Sequence, residues 1–343
     1  MKYFNIAYFG SSDFSADFLE KLVTDTSIKR LIEVKFVVTQ PDRKVGRKQI
    51  LTPTLVKTVA QRYEIKVKFQ ILNLKSQINN KSQIKNPKRL EFGNSDLFGA
   101  WDLELDALKN IDFALVYAYG AIIPKDLLAL PKYGFWCIHP SLLPKYRGAS
   151  PMATALINGD KTTGVTIIKM DEKIDHGPII AQEKYEILAT DKRPDLEVKL
   201  TDLAFEMFKK LIGEDAKFFA TWEVRSGAST PLELKNFGIE PLIEQNHQQV
   251  TYTKKLKKED GFIPFENWKL KIENSPEKIF NLFRGLYPWP GLWTILPNGK
   301  RLKITDMKLY NFKNFITLKL LSVQLEGKKE VDFETFNKAY KVF

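Results

Sequence analysis

One cysteine, Cys137, and three histidines, His139, His176 and His247, are all that these 343 residues contain of the two side chains that most often bind zinc. A single thiol closes no internal disulfide, and so few imidazoles leave no spacing for a metal cage, so neither a disulfide scaffold nor a metalloenzyme is expected. No apolar run approaches the ~20 residues that cross a bilayer, and Met1-Lys2-Tyr3-Phe4-Asn5 lacks the shape of a signal peptide. A cytoplasmic monomer is expected. Also missing is Gly-x-Gly-x-x-Gly: the turn after the first apolar run reads Gly10-Ser11-Ser12-Asp13, which argues against nicotinamide cofactors.

What is abundant is positive charge. Lysine and arginine number 53 against 41 aspartates and glutamates, a formal net charge of +12. Such a balance suits a polyanionic partner and equally suits simple solubility. Its distribution is uneven. From Glu64 to Leu90 seven basic residues face one acidic, and from Lys300 to Lys329 eight face two, each tract carrying a net +6. Two such tracts can line one backbone-binding face.

With 44% hydrophobic residues the chain can bury two cores. Tyr3 to Phe9 reads as a strand, and Phe14, Phe18, Leu19 and Leu22 follow at helical spacing. Val34 to Val38 is a second strand; it opens into the basic loop Thr39 to Gln49, after which Thr52-Pro53 has the form of an N-cap with proline at the first helical position. Leu74 to Asn94 is polar and irregular and reads as a surface insertion. Ile111 to Tyr117 is the next buried strand, passing into Ala118-Tyr119-Gly120, and Gly164 to Met170 is another, delivering Asp171 and Asp175 to a loop. Leu196, Leu200, Leu203, Met207, Phe208 and Leu211 mark one long amphipathic helix. The expected fold is α/β: a Rossmann-like, mostly parallel sheet with helices on both faces in residues 1–222, then a linker over 223–250. Residues 251–343 carry turn signals, Asn298-Gly299 the strongest, and are expected to form a small OB-like β-barrel.

Candidate chemistry centres on Gly134 to Gly148, where an apolar run delivers His139 into a loop containing Pro140, Pro144 and Gly148 and the cations Lys145 and Arg147. The carboxyl ends of parallel strands are where open α/β sheets bind ligands, and histidine is the commonest general acid/base at neutral pH. Inert packing would explain the imidazole but not that loop. His247 lies in a polar run and reads as solvated, and His176 adjoins Asp175 but points elsewhere if the turn is tight. Loops leaving adjacent strands can bring Asp175 to His139.

The ordered series His139-Pro-Ser-Leu-Leu-Pro-Lys-Tyr-Arg-Gly148, Gly164-Val-Thr-Ile167 and Met170 to Pro178 resembles the folate-dependent formyltransferases, and within them the methionyl-tRNA formyltransferases. That resemblance implies 10-formyltetrahydrofolate as co-substrate, no metal, and the methionine amino group of initiator Met-tRNA as acceptor. It implies that His139 stabilises the oxyanion of a tetrahedral intermediate or shuttles a proton, with Asp175 orienting the imidazole. It places the folate against Tyr119, Gly120, Ile122, Ser141, Leu142, Leu143, Pro144 and Asp171. It also assigns tRNA contacts to Arg43, Arg47 and Lys48 in the Gln40-Pro41-Asp42-Arg43 loop, and to a C-terminal barrel that here includes Arg301 and Lys303. Two alternatives stay open: a nucleotide-sugar N-formyltransferase, against which stand the basic loop and Trp289-Pro290-Gly291, and a catalytically impaired RNA-binding relative.

One departure counts. The family pattern is Asn-x-His, and this chain has Cys137-Ile138-His139. Residues two apart on a strand share a face, so Cys137 occupies the amide's place beside His139, and a thiol is only a weak donor. Three readings follow: a slower or compensated transferase, an inactive relative that still binds, or a thiolate that takes the formyl group transiently.

Overall fold

The computed structural model describes residues 3–46, 48–69, 106–213, 242–313 and 315–341. Contacts group the chain into two units, one of residues 1–139, 166–181 and 201–245, the other of residues 140–165, 182–200 and 246–343.

The first unit is built on apolar runs buried from both faces. Strand β1 (Phe4–Gly10) leads into helix α1 (Asp13–Thr24), whose N-cap Ser12 accepts the Ser15 amide through its hydroxyl. Strand β2 (Ile32–Thr39) follows, then a short exposed antiparallel pair, β3 (Arg43–Val45) and β4 (Ile50–Thr52), within the basic loop. Helix α2 (Leu55–Arg62) is capped by Thr54 and not by Thr52 as the sequence suggested. The Thr54 hydroxyl accepts the Lys57 amide at 3.1 Å and also meets Thr39 at 2.8 Å, so a tertiary hydrogen bond selects between two threonines of equal local merit. Then come β5 (Lys66–Phe69), β6 (Phe113–Tyr117), the short helix α3 (Lys125–Leu128) and β7 (Phe135–His139). Further along the chain come β8 (Arg147–Gly148) and α4 (Pro151–Ile157), both of the second unit, and then β9 (Thr162–Lys169), β10 (Ile179–Glu186) and α5 (Arg193–Gly213), the long helix read from its leucine spacing.

The main sheet has the order β10-β9-β7-β6-β1-β2-β5. β5, β2, β1, β6 and β7 run parallel, and β9 runs antiparallel to β7, with His139 opposite Thr166. Helices cover both faces as expected. On one, Phe18 of α1 and Phe205 and Phe208 of α5 meet edge-on, and Phe208 reaches Phe113 of β6. On the other, Phe9, Val38, Ala114, Val116 and Phe135 pack with Leu108, Ile123 and Leu127. Each such large apolar side chain, fully buried, contributes about 2 kcal/mol. The strand order reverses between β1 and β6, the position at which doubly wound sheets open a crevice.

In the second unit, β8 pairs in parallel with β11 (Tyr252–Thr253). Two helices follow, α6 (Phe265–Asn274) and α7 (Pro276–Leu286), then strands β12 (Leu292–Ile295), β13 (Arg301–Phe312), β14 (Phe315–Leu325) and β15 (Glu330–Asp332) and helix α8 (Phe333–Tyr340). These strands form an antiparallel sheet in the order β12-β13-β14-β15. The Asn298-Gly299 hairpin forms as expected, but among the described residues the sheet stays open and no barrel closes. Residues 265–286 fold as helices: Ile279, Phe283 and Leu286 recur at helical spacing on α7 and, with Trp268 of α6, bury against Leu292, Ile304, Val323 and Leu325. Arg284, also buried, donates to the carbonyls of Asp191 and Leu188, tying the 182–200 stretch to this unit. All of the expected 74–94 insertion, and residues 223–241 of the expected linker, lie outside the described residues. Among those described, no helix is long and apolar enough to cross a membrane.

Candidate active site

β7 alternates, so Phe135, Cys137 and His139 share one face while Trp136 and Ile138 serve the other. Tyr117 of β6 lies beside Ile138, so the segment leaving β6 emerges next to the imidazole. That segment turns sharply: Ala118 and Gly120 have φ of 49° and 76°. A side chain built at Gly120 would meet nothing within 4 Å, and Ile122 beyond it is 77% exposed. Tyr119 is buried with its ring edge-on to Phe9 at 5.4 Å, and its carbonyl accepts from Gln40 Nε2 at 3.3 Å. Gln40 Oε1 in turn accepts from Arg43 at 3.2 Å. The ends of β2, β6 and β7 are thereby joined around one open, partly apolar edge.

Asp175 reaches this edge from the loop after β9. Its carboxylate Oδ2 lies 3.5 Å from Nδ1 of His139, both side chains being largely buried. That separation suits an ion pair and is slightly long for a hydrogen bond, a looseness common in catalytic pairs without substrate. Asp175 has a φ of 49°, so it is also the turn residue that its sequence context suggests. Within the same loop Asp171 is engaged twice, accepting the Lys173 amide at 2.9 Å and His176 Nδ1 at 2.6 Å. His176 thus forms a second imidazole–carboxylate pair that sequence reading did not find.

The loop is held shut by a residue the sequence reading passed over. Gln245, 4% exposed, donates from Nε2 to the carbonyls of Asp175 at 3.0 Å and Gly177 at 2.7 Å. Beside it, Ile179 and Ile243 exchange backbone hydrogen bonds at 2.8 and 3.2 Å. A glutamine in the polar run Glu244 to Gln249 carries no periodic or spacing signal, so only the fold identifies it. Gly177 is required by contact: a Cβ there would sit 1.8 Å from the Lys169 carbonyl oxygen. Gly177→Ala is expected to lose about 2 kcal/mol of stability, read as a lower denaturant midpoint.

Cys137 is partly buried and packs beside the Phe9, Tyr119 and Phe135 cluster. Burial, reinforced by the Asp175 carboxylate, pushes its thiol well above the ordinary range. The sulfur is therefore a neutral thiol at physiological pH, which disfavours a thiolate nucleophile.

The remaining candidates have partners of their own. Ser141, Leu142, Leu143 and Pro144 belong to the second unit, where the Ser141 hydroxyl donates to the Lys145 carbonyl at 2.6 Å and Gln182 donates to the Leu143 carbonyl at 3.0 Å. Lys145 bridges to Asp160 at 2.7 Å, and buried Arg147 lies 2.9 Å from His247 Nδ1, so the cations of that loop serve its structure and His247 is not merely solvated. Arg43 and Lys48 are exposed around the β3–β4 pair, and Arg47 lies outside the described residues. Arg301 pairs with Glu326 at 3.9 Å, and Lys303 donates to the Pro288 carbonyl at 3.1 Å. Among the described residues no cluster of three or more histidine, cysteine, aspartate or glutamate side chains could hold a metal.

Comparison with known proteins gives a consistent result. A family model described as Formyl transferase matches residues 4–212, and a second, Formyl transferase, C-terminal domain, matches residues 255–316. A methionyl-tRNA formyltransferase of Caldicellulosiruptor saccharolyticus is 34% identical over 98% of this chain and 97% of its own length. That of Thermodesulfovibrio yellowstonii is 32% identical over 98% and 96%. Among solved structures, the sugar 3N-formyl transferase WlaRD, crystallised with dTDP and 5-N-formyl-THF, has a TM-score of 0.54 at 17% identity, covering 95% of this chain and 99% of its own; it shares the fold.

Proposed function

This chain belongs to the formyl transferase family, and on that premise we propose that it transfers the formyl group of 10-formyltetrahydrofolate to the amino group of methionine on initiator Met-tRNA. The observation that carries the chemistry is the 3.5 Å approach of Asp175 to His139 at the carboxyl end of β7. The choice of acceptor is supported by relatives named methionyl-tRNA formyltransferase that match nearly end to end at 32–34% identity, whereas WlaRD, a sugar formyltransferase, shares the fold at 17%.

The folate co-substrate fits the open edge beside His139. The left-handed turn at Gly120 leaves open space beside it, and the exposed Ile122 offers apolar surface to a flat heterocycle. The donor, when bound, provides an activated one-carbon unit; the chain's own groups do the rest. Asp175 holds Nδ1 of His139 and so orients the ring, leaving Nε2 as the edge presented to the formyl oxygen as negative charge develops there. The attacking amine must shed a proton, which the Asp175 carboxylate accepts directly or through water, and a proton returns to the departing nitrogen of tetrahydrofolate as its bond to the formyl carbon breaks. No covalent enzyme intermediate is required, in keeping with the neutral Cys137 thiol.

Incubation with 10-formyltetrahydrofolate and charged initiator tRNA should give N-formylmethionyl-tRNA. Formylation of an amino-sugar nucleotide with none of the tRNA product would overturn the assignment. Gln245 acts here as a positioning residue. Gln245→Leu removes two hydrogen bonds from the Asp175 loop and is expected to lower kcat about 10-fold. The KM for tRNA should barely move, a split that general destabilisation would not produce.

A further inference from the structure

The β13–β14 hairpin has two unlike faces. Inward, Met307, Leu309, Leu318 and Leu320 join the second unit's core. Outward, the cross-strand pairs are Lys308 with Lys319, Tyr310 with Thr317, and Phe312 with Phe315 at the tip. The outward rings form a ladder: Tyr310 and Phe312 lie 6.4 Å apart at 14°, Phe312 and Phe315 4.7 Å apart at 23°. The two phenylalanines are nonetheless 50% and 59% exposed. Folding gains little from rings left in water, and two lysines placed directly across a ladder repel each other. Lys308 lies 5.3 Å from the Tyr310 ring centre, Lys319 is pinned by Glu334 at 2.8 Å, and Lys313 is exposed in the turn. The hairpin also runs through the tract from Lys300 to Lys329, which carries eight basic residues against two acidic.

Flat rings exposed in a row and flanked by cations are the chemistry that binds unpaired nucleotides, whose bases stack on aromatic faces while their phosphates meet the lysines. We propose that the outward face of this hairpin is a stacking platform for unpaired nucleotides of the tRNA. This rests on the assignment of a tRNA acceptor and adds to it a surface, away from Arg301 and Lys303, that recognises bases by stacking. Tyr310, Phe312 and Phe315 supply the stacking; Lys308 and Lys319 supply the phosphate contacts.

The test uses the full chain with fluorescently labelled initiator tRNA, a short single-stranded RNA and a duplex of the same composition, read by anisotropy over a range of salt. Phe312→Leu with Phe315→Leu keeps the apolar bulk but removes the flat faces. It should weaken tRNA and single-stranded binding about 10-fold or more, leaving duplex binding and the salt dependence as they were. Lys308→Gln with Lys319→Gln should instead lower the slope of log K against log salt for the single strand by about 1.4. Phe312→Trp with Phe315→Trp should retain affinity. Unchanged single-strand and tRNA affinity in the leucine variant, with the intact chain still binding tRNA, overturns the platform. So does a wild-type dimer in sedimentation that the leucine variant dissolves with RNA binding intact, which would make the face a contact between copies. Failure of the intact chain to bind or formylate tRNA at all would instead reject the acceptor assignment.

Discussion

His139→Ala and Asp175→Asn are each expected to lower kcat by roughly 1,000-fold, within the range that general acid–base groups and oxyanion donors supply. The two act through one contact, the 3.5 Å approach of Oδ2 to Nδ1, so the double variant should be little worse than either single one. An additive double, with losses that multiply, would mean that the residues serve separate steps. Asp175→Asn is the more informative, because the amide keeps the size of the side chain but cannot take a proton or place a negative charge beside Nδ1. Thermal melts should separate chemistry from folding, since Asp175 also holds a left-handed turn and its carbonyl is bound by Gln245.

The second large effect runs in the opposite direction. Cys137→Asn should raise kcat, by up to about 100-fold if no other donor has taken over the amide's role. Asparagine offers two strong N–H donors where the thiol offers one weak one, and position 137 lies on the His139 face of β7. Cys137→Ala should be close to neutral, because burial and the Asp175 carboxylate already keep the thiol protonated. A covalent route through sulfur predicts that both variants are dead. Unchanged rates in both would show that another group already donates to the formyl oxygen.

How much of this was readable beforehand differs from element to element. β1, β6, β7 and β9 were legible because strands buried on both faces must be nearly continuous apolar runs, and α5 because its leucines recur every three or four residues. Within residues 251–343 the turn signals did not reveal the two helices of residues 265–286. Pro276 sits at the first position of α7, where a missing N–H costs nothing. Thr52 and Thr54 were indistinguishable locally, and Thr39, fifteen residues before Thr54, decided between them. In the site, His139 and Asp175 stood out because histidines are few and both sit in loops that follow apolar runs. Gln245 did not: its role is a pair of hydrogen bonds to backbone 70 and 68 residues away.

Composition and motif order alone were enough to point to the family, to exclude an internal disulfide and to single out His139 and Asp175 as candidates, because these depend on which side chains exist and in what succession. Tertiary structure decided the rest: that Asp175 faces His139, that Gln245 secures its loop, that the C-terminal sheet stays open beneath two helices, and that Phe312 and Phe315 face water. Each of these is a distance or an exposure set by chain segments far apart in sequence. Local propensity contains no term for such encounters, and they come into being only when separate apolar faces are buried against one another.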